Sequence, residues 1–245
     1  MTHVIILAAG KGKRMGSEHP KVLQPVGGVP MIERVLSAAR VITPRPVLVI
    51  GHKADEIRQA LEERCEYVVQ KEQRGTGDAV RVAIETLGDL GDASVVVLPG
   101  DHPLLTAQSL YRVIGAREAS NAAVALATVV VPDFQGARQA FDDCGRVLRD
   151  ADERIVGIVE RADATEEGAS IREVNVSTYC FRGDWLRKNV ARLAAENAAG
   201  EFYLTDLIAL AVAQGETVCG VQLENEREGM GVNTPAQLVA ADAYC

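Results

Sequence analysis

The sequence predicts an α/β protein built on a mainly parallel mixed sheet flanked by helices. Two observations carry that prediction. From the N-terminus to Ser120, short runs rich in valine, isoleucine and leucine alternate with longer segments whose apolar residues recur at helical spacing. Several of the short runs are apolar at every position, which is the pattern of strands covered on both faces. Such an alternation feeds parallel strands through helical crossovers.

The elements follow in order. "HVIILAA" (His3–Ala9) reads as a buried strand. "PMIERVLSAARVI" reads as a helix with Pro30 in its first turn and Ile32, Val35, Leu36 and Ala39 on one face. "PVLVIG" (Pro46–Gly51) is a second strand, "ADEIRQALEER" (Ala54–Arg64) an amphipathic helix and "EYVVQ" (Glu66–Gln70) a third strand. "GDAVRVAIETL" (Gly77–Leu87) returns to helix, "SVVVLPGD" (Ser94–Asp101) is a fourth strand, and Thr106–Ser120 is the next helix. Beyond Ala122 the linkers become less regular. Strands are expected in "AAVALATVVV", "GRVLRD", "RIVGIVE" and "IREVNVSTYCF". Helices are expected over Asp184–Ala198 and Thr205–Gln214, then a strand in "TVCGVQL" and a last helix from Pro235. No repeat or low-complexity tract interrupts the chain. One domain is expected, its residues 1–121 forming one half and residues 122–245 completing the sheet and covering the site.

Composition narrows the function. A formal net charge of −8 disfavours a protein that holds nucleic acid by bulk electrostatics. No apolar run approaches the roughly 20 residues that span a bilayer, and "MTHVIILAAG" lacks the basic start of a signal peptide. The five scattered cysteines match no zinc spacing and suggest the reducing conditions of a cytoplasm. Against the acidic background, Lys11, Lys13, Arg14 and Lys21 cluster in "LAAGKGKRMGSEHPKVL", opposed only by Glu18. A local cationic cluster suits a small polyanion.

Three loops at strand ends carry the chemistry, and in a parallel sheet such loops meet in one crevice. The opening loop has Gly10 and Gly12, but Met15 where a dinucleotide fingerprint needs a third glycine, and no Gly-Lys-Ser/Thr ending. Glycines there would turn backbone N–H groups toward an anion, and a following helix would add its positive end. Arg14 can grip phosphate in a bidentate way and Lys21 offers a mobile point charge. An ordinary loop with solvated lysines fits the same residues. In "QRGTGDA", Gly75 and Gly77 would bring backbone near a ligand, while Gln70 and Thr76 could reach the polar edge of a base. Taken alone, these residues fit a tight turn with a helix cap better. Asp101 in "PGDHPLL" is a candidate Mg²⁺ ligand or a turn residue, and His102 reads as a turn residue. No nucleophile–base pair is present.

"LAAGKGKRM…PKVL", "QRGTGDAV", "PGDHPLL", "IVERADAT", "GEFYLTD" and "GVNTPAQL" occur in that order. In this the chain resembles the sugar-1-phosphate nucleotidyltransferases, and more narrowly the N-terminal uridyltransferase domain of GlmU-type enzymes, from Val4 to about Leu238. The resemblance implies a Rossmann-like nucleotidyltransferase fold with a smaller sugar-binding lobe. It implies Mg²⁺-dependent transfer of a uridylyl group from UTP to N-acetylglucosamine-1-phosphate, or a related reaction on another hexose-1-phosphate, with no nucleic-acid or membrane partner. A non-catalytic nucleotide-sugar sensor is the alternative of a different class. By resemblance, Leu7, Ala8, Ala9 and Gly10 line the nucleoside, and Gln70, Gly75 and Thr76 read the uracil. Arg14 and Lys21 neutralise phosphates. Asp101 and Asn233 hold the metal, and Gly145, Glu160, Asn175, Tyr203 and Thr205 surround the sugar. Three departures stand out. Asn175 is followed by "VSTYCF" where GlmU-type domains usually continue with threonine and glycine, so bulkier residues meet the acetamido pocket. Pro99 precedes "GD" where an aromatic is frequent. No hexapeptide-repeat β-helix follows, so the acetyltransferase half is expected to be absent, as in a stand-alone pyrophosphorylase or an excised domain. The sequence sets no oligomeric state.

Overall fold

β1 (Thr2–Ala8) turns Val4, Ile6 and Ala8 to one face of the sheet and Ile5 to the other, all of them buried. A strand apolar on both faces is stable only between two layers, so helices must cover it from each side. A computed structural model describing residues 1–245 has that arrangement.

The opening loop does not lead into a helix, contrary to the sequence expectation. Two short 3-10 turns follow it, Lys13–Met15 and Lys21–Leu23, and then a hairpin of β2 (Pro25–Val26) and β3 (Val29–Pro30). Gly12 and Gly16 bracket the first turn at φ 59° and 62°, conformations that interrupt a right-handed helix. Gly27 and Gly28 close the hairpin at φ 59° and 74°, the paired positive values of a type I′ turn. Only then does α1 (Met31–Arg40) begin. Pro30 is its last extended residue (φ −50°, ψ 135°), not part of its first turn.

β4 (Val47–Ile50), α2 (Ala54–Leu61), β5 (Glu66–Val69), α3 (Thr76–Thr86), β6 (Ser94–Pro99) and α4 (Ala107–Ala119) follow in the expected order. α2 stops at Leu61 instead of reaching Arg64. Glu62 leaves helical geometry at φ 51°, and its carbonyl accepts the Tyr67 hydroxyl at 2.6 Å. The second half contributes β7 (Val124–Val130), β8 (Arg146–Arg149), β9 (Ile155–Val159), α5 (Glu166–Ser170), β10 (Glu173–Arg182) and α6 (Gly183–Asn189). α7 (Asp206–Ala213), β11 (Val218–Gln222) and α8 (Pro235–Asp242) end the chain. The helix expected to reach Ala198 ends at Asn189, followed by one 3-10 turn. Residues beyond it are tied down instead. The Ala198 N–H donates to Asp163 at 2.8 Å, and the Asn197 amide donates to the Glu201 carbonyl at 2.6 Å. Tertiary docking here overrides the helix propensity of "LAAENAA".

The main sheet runs β11–β7–β10–β6–β1–β4–β5, with β8 and β9 branching from β10. β5, β4, β1 and β6 are parallel, while β10 runs antiparallel to both β6 and β7. One apolar layer joins Ile6, Leu48 and Leu98 to α1, α2 and α4. The opposite layer joins Ile5, Val97 and Phe181 to α3, α6 and α7. A smaller cluster of Val26, Met31, Val232 and Ala241 seats α8 on the hairpin. No helix is long and apolar enough to cross a membrane.

Candidate active site

Strand order determines where a site can open. From β1 the chain moves outward to β4 and β5, then crosses back to β6 on the other side of β1. That reversal is a topological switch point, where loops at the carboxyl ends of the strands part and leave a crevice. The loops after β1, β5 and β6 all open there, together with residues of the second half, on a cavity of about 760 Å³. The predicted Leu7, Ala8, Ala9, Gly10, Arg14, Lys21, Gln70, Gly75, Thr76, Asp101, Gly145, Glu160, Tyr203, Thr205 and Asn233 all line it. Asn175 does not.

At one end, the Lys21 ammonium donates to Asp101 Oδ2 at 2.5 Å and to Asn233 Oδ1 at 2.7 Å. Glycines make this arrangement possible. A Cβ on Gly12 would stand 2.8 Å from the Lys21 Cβ, and one on Gly100 would stand 2.9 Å from the Leu7 carbonyl oxygen. Gly100 thus lets the turn bearing Asp101 approach β1. Burial pushes the Asp101 carboxyl up, but the Lys21 ammonium and neighbouring His102 outweigh it and hold the group below the usual carboxylate range. Two hard oxygens therefore converge on one cation, a donor set that fits Mg²⁺, which takes few protein oxygens beside its waters and phosphates. His102 sits in the turn after β6 as expected but is buried, and its Nδ1 has no hydrogen-bond partner. Burial lowers its pKa, and the Asp101 carboxylate opposes that shift. Arg14 pairs with Asp143 across the mouth, linking the opening loop to the second half.

The glycine turn after β5 lines the cavity and also packs against the second half. A Cβ on Gly75 would meet the backbone O and N of Phe202 at 2.6 and 2.8 Å. The Gly77 N–H donates to the Phe202 carbonyl at 2.8 Å, and the Phe202 N–H donates to the Arg74 carbonyl at 2.8 Å. The glycines thus dock the turn on "EFYL" of the second half. Thr76 Oγ1 accepts from the Leu204 N–H at 3.1 Å, joining the same seam. Gln70 lies beside it, buried, with its amide held by Gly75 and Asp78.

At the far end, Glu160 accepts a hydrogen bond from the Thr205 hydroxyl at 2.7 Å. Burial raises the Glu160 pKa, the Thr205 hydrogen bond opposes that, and the charges of Asp206 and Asp163 add to it. Gly145 leaves room for this carboxylate, since a Cβ there would come within 3.3 Å of Glu160 Oε2. Tyr203 is pushed up to about 12, first by burial and then by the Asp163 and Glu160 charges, so its hydroxyl remains a donor. Asn175 sits one layer back. Its Nδ2 donates to the Tyr179 hydroxyl at 2.7 Å and its Oδ1 accepts the Ser177 N–H at 3.2 Å. The pairing of β10 with β7 slips between Asn175 and Tyr179, and Ser177 adopts φ 55° in that bulge. Ser177 and Tyr179 line the cavity in its place. Cys144 also lines the cavity, but burial pushes its thiol up to about 12, far from a reactive thiolate.

Sequence reasoning missed Asp143, and it placed Ser177 and Tyr179 at the pocket only as part of "VSTYCF", without resolving which of those residues face it. Asp143 lies in an irregular segment with no motif, and a bulge has no reliable signature in a single sequence. The type I′ hairpin was findable, because "PVGGVP" places a glycine pair between two short apolar runs.

A mainly parallel sheet with a cationic loop, a glycine turn and paired oxygen donors at its switch point suits a transferase that handles nucleotides. Comparison with known proteins agrees. Residues 4–203 match the MobA-like NTP transferase domain, and the chain belongs to that family, as a nucleotidyltransferase. It is 38% identical over 241 residues to the bifunctional protein GlmU of Bacillus licheniformis, covering 98% of this chain and 51% of that one. It is 44% identical over 246 residues to the bifunctional protein GlmU of Kineococcus radiotolerans, covering 98% of this chain and 48% of that one. The chain thus spans about half the length of the curated relatives it matches. The solved structure of CMP:2-keto-3-deoxy-manno-octonic acid synthetase complexed with CTP shares the fold, with a TM-score of 0.69 at 18% identity, covering 99% of this chain and 97% of that one.

Proposed function

We propose that this chain transfers a uridylyl group from UTP to N-acetylglucosamine-1-phosphate. The observation that carries the reading is one continuous cavity with three chemically distinct ends: cations with paired oxygens, an amide at a tight turn, and a carboxylate–hydroxyl pair. Residues 1–121 supply the nucleotide side and residues 122–245 most of the sugar side. A phosphate oxygen of the sugar phosphate attacks the α-phosphorus of UTP. The bond between that phosphorus and the oxygen bridging to the β-phosphorus breaks, and pyrophosphate leaves with the electron pair. Such a transfer asks little covalent chemistry of the protein and much positioning and charge neutralisation. Arg14 neutralises the leaving pyrophosphate and Lys21 the phosphates at the reacting centre. Gln70 and the Gly75–Thr76 turn orient the base, while Glu160, Thr205 and Tyr203 bind sugar hydroxyls. Asp101 and Asn233 would hold Mg²⁺, which would screen the crowded phosphate charge.

The test is a matrix of each nucleoside triphosphate against several sugar-1-phosphates, with Mg²⁺, reading pyrophosphate. Release that requires UTP and N-acetylglucosamine-1-phosphate together is expected. Equal turnover with glucose-1-phosphate or dTTP would overturn the narrow reading and leave the class intact. A second reading, another hexose-1-phosphate, is favoured by one observation: Ser177 puts a side chain at the bulge that lines the sugar end.

A further inference from the structure

Gln70 is 3% exposed and Asp78 is 5% exposed, yet neither is an apolar residue and neither is paired at random. The Gln70 Nε2 donates to the Gly75 carbonyl at 3.1 Å and to Asp78 Oδ2 at 2.8 Å. Both partners can only accept, the ionised carboxylate having no proton to give. The amide therefore must turn its NH₂ toward them, and its Oε1 is left facing away. No protein group donates to Oε1, and it is not sealed off as an orphaned buried atom. Since Gln70 lines the cavity, that oxygen is the group it offers to a ligand. Asp78 is itself held. Its Oδ1 accepts from Arg81 Nη2 at 2.6 Å, and Arg81 reaches on to Glu85 at 2.9 Å.

We propose that Asp78 is a positioning residue for nucleobase selectivity: it locks the Gln70 amide so that a carbonyl oxygen meets the base. The inference rests on the reading that Gln70 faces the base. An acceptor at that point pairs with the ring imide N–H that uracil and thymine carry. Cytosine has a lone pair at the same ring position, so two acceptors would face each other. Leaving a dry polar group mispaired weakens binding by about tenfold to a hundredfold. Arg81 completes the lock by engaging the second carboxylate oxygen, so that Asp78 cannot turn away.

The test is direct binding of UTP and CTP by titration calorimetry to the full chain and to two variants. In Asp78→Asn only one side-chain oxygen remains. Arg81, always a donor, claims it, and the new NH₂ faces the Gln70 NH₂, donor against donor, which drives the amide to turn against the longer and weaker hold of the Gly75 carbonyl at 3.1 Å. The UTP-over-CTP preference is expected to fall at least tenfold, through affinity and KM, with kcat at saturating UTP held within about threefold because no phosphate contact changes. Adding Arg81→Ala to Asp78→Asn frees the remaining side-chain oxygen to face Gln70 again, and the preference is expected to return. A folded Asp78→Asn protein that keeps the wild-type preference, or that loses UTP and CTP affinity equally without rescue, overturns the proposal. Independently of any variant, the Gln70 side-chain NH₂ of the unliganded wild type must show slowed hydrogen exchange by NMR, and free exchange overturns the lock. A wild type that binds CTP as tightly as UTP sinks the base reading itself, which is distinguishable because it appears before any substitution.

Discussion

Glu160 carries a pH prediction at the scale of one residue. Its folded pKa is raised, by burial first, so its charge is lost on acidification earlier than that of an ordinary glutamate. If the carboxylate accepts a sugar hydroxyl, KM for the sugar phosphate should rise as pH falls from 7 toward 5. Glu160→Gln should flatten the part of the profile that the substrate phosphate, with its own pKa of about 6, does not explain. The stability sign runs the other way. A raised acid costs stability once pH climbs above its ordinary value, so Glu160→Gln should gain stability relative to wild type at pH 8 but not at pH 4, read by thermal denaturation. Gly75 supplies a second residue-scale prediction. Its φ of 110° and its approach to Phe202 admit no side chain. Gly75→Ala should cost about 1–3 kcal/mol and weaken UTP binding together, because the same turn holds Gln70. Chemical denaturation and nucleotide titration check the two effects. The glycine pair was legible in the sequence, but its docking on Phe202 was not, since only the fold brings that segment alongside.

At the scale of an element, β8 shows how a strand can build a loop. Arg146, at its start, is fully buried. Its guanidinium donates to the carbonyls of Cys144, Asp142, Phe141 and Ala169 and to the Asp142 carboxylate, and lies 4.4 Å from the centre of the Phe134 ring. These bonds fold the segment that presents Asp143 and Gly145 to the cavity. Arg146→Lys keeps the charge but loses the planar fork, so several carbonyls go unmet. A loss of about 3 kcal/mol or more in denaturant unfolding is expected, with a raised KM for the sugar phosphate. Full stability in Arg146→Lys would show that charge alone suffices. The strand in "GRVLRD" was expected from the sequence, whereas nothing in the sequence marked its arginine as buried. Helix ends were the least legible elements. α8 starts at Pro235 as expected, with Thr234 and Gln237 forming a capping box, while α6 and α2 end early where the chain docks or reverses.

At the scale of the whole molecule, the two halves share one sheet rather than meeting as separate bodies. β10 and β7 of the second half extend directly from β6 of the first, and the glycine turn is stitched to Phe202 and Leu204. Unfolding should therefore be one cooperative transition. Far-ultraviolet circular dichroism and Trp185 fluorescence should give the same midpoint, and separate midpoints would show two independent units. Composition, apolar runs and loop motifs by themselves determined the α/β class, the order of strands and helices, and which three loops reach the crevice. Those properties are local, because side-chain periodicity and glycine spacing act within a few residues. The tertiary structure alone decided that Lys21 bridges Asp101 and Asn233, that Ser177 rather than Asn175 faces the cavity, and that Asp78 holds Gln70. Each depends on groups brought together by strand order, by a register slip or by burial against a distant segment, and none of these leaves a mark on the residues taken one at a time.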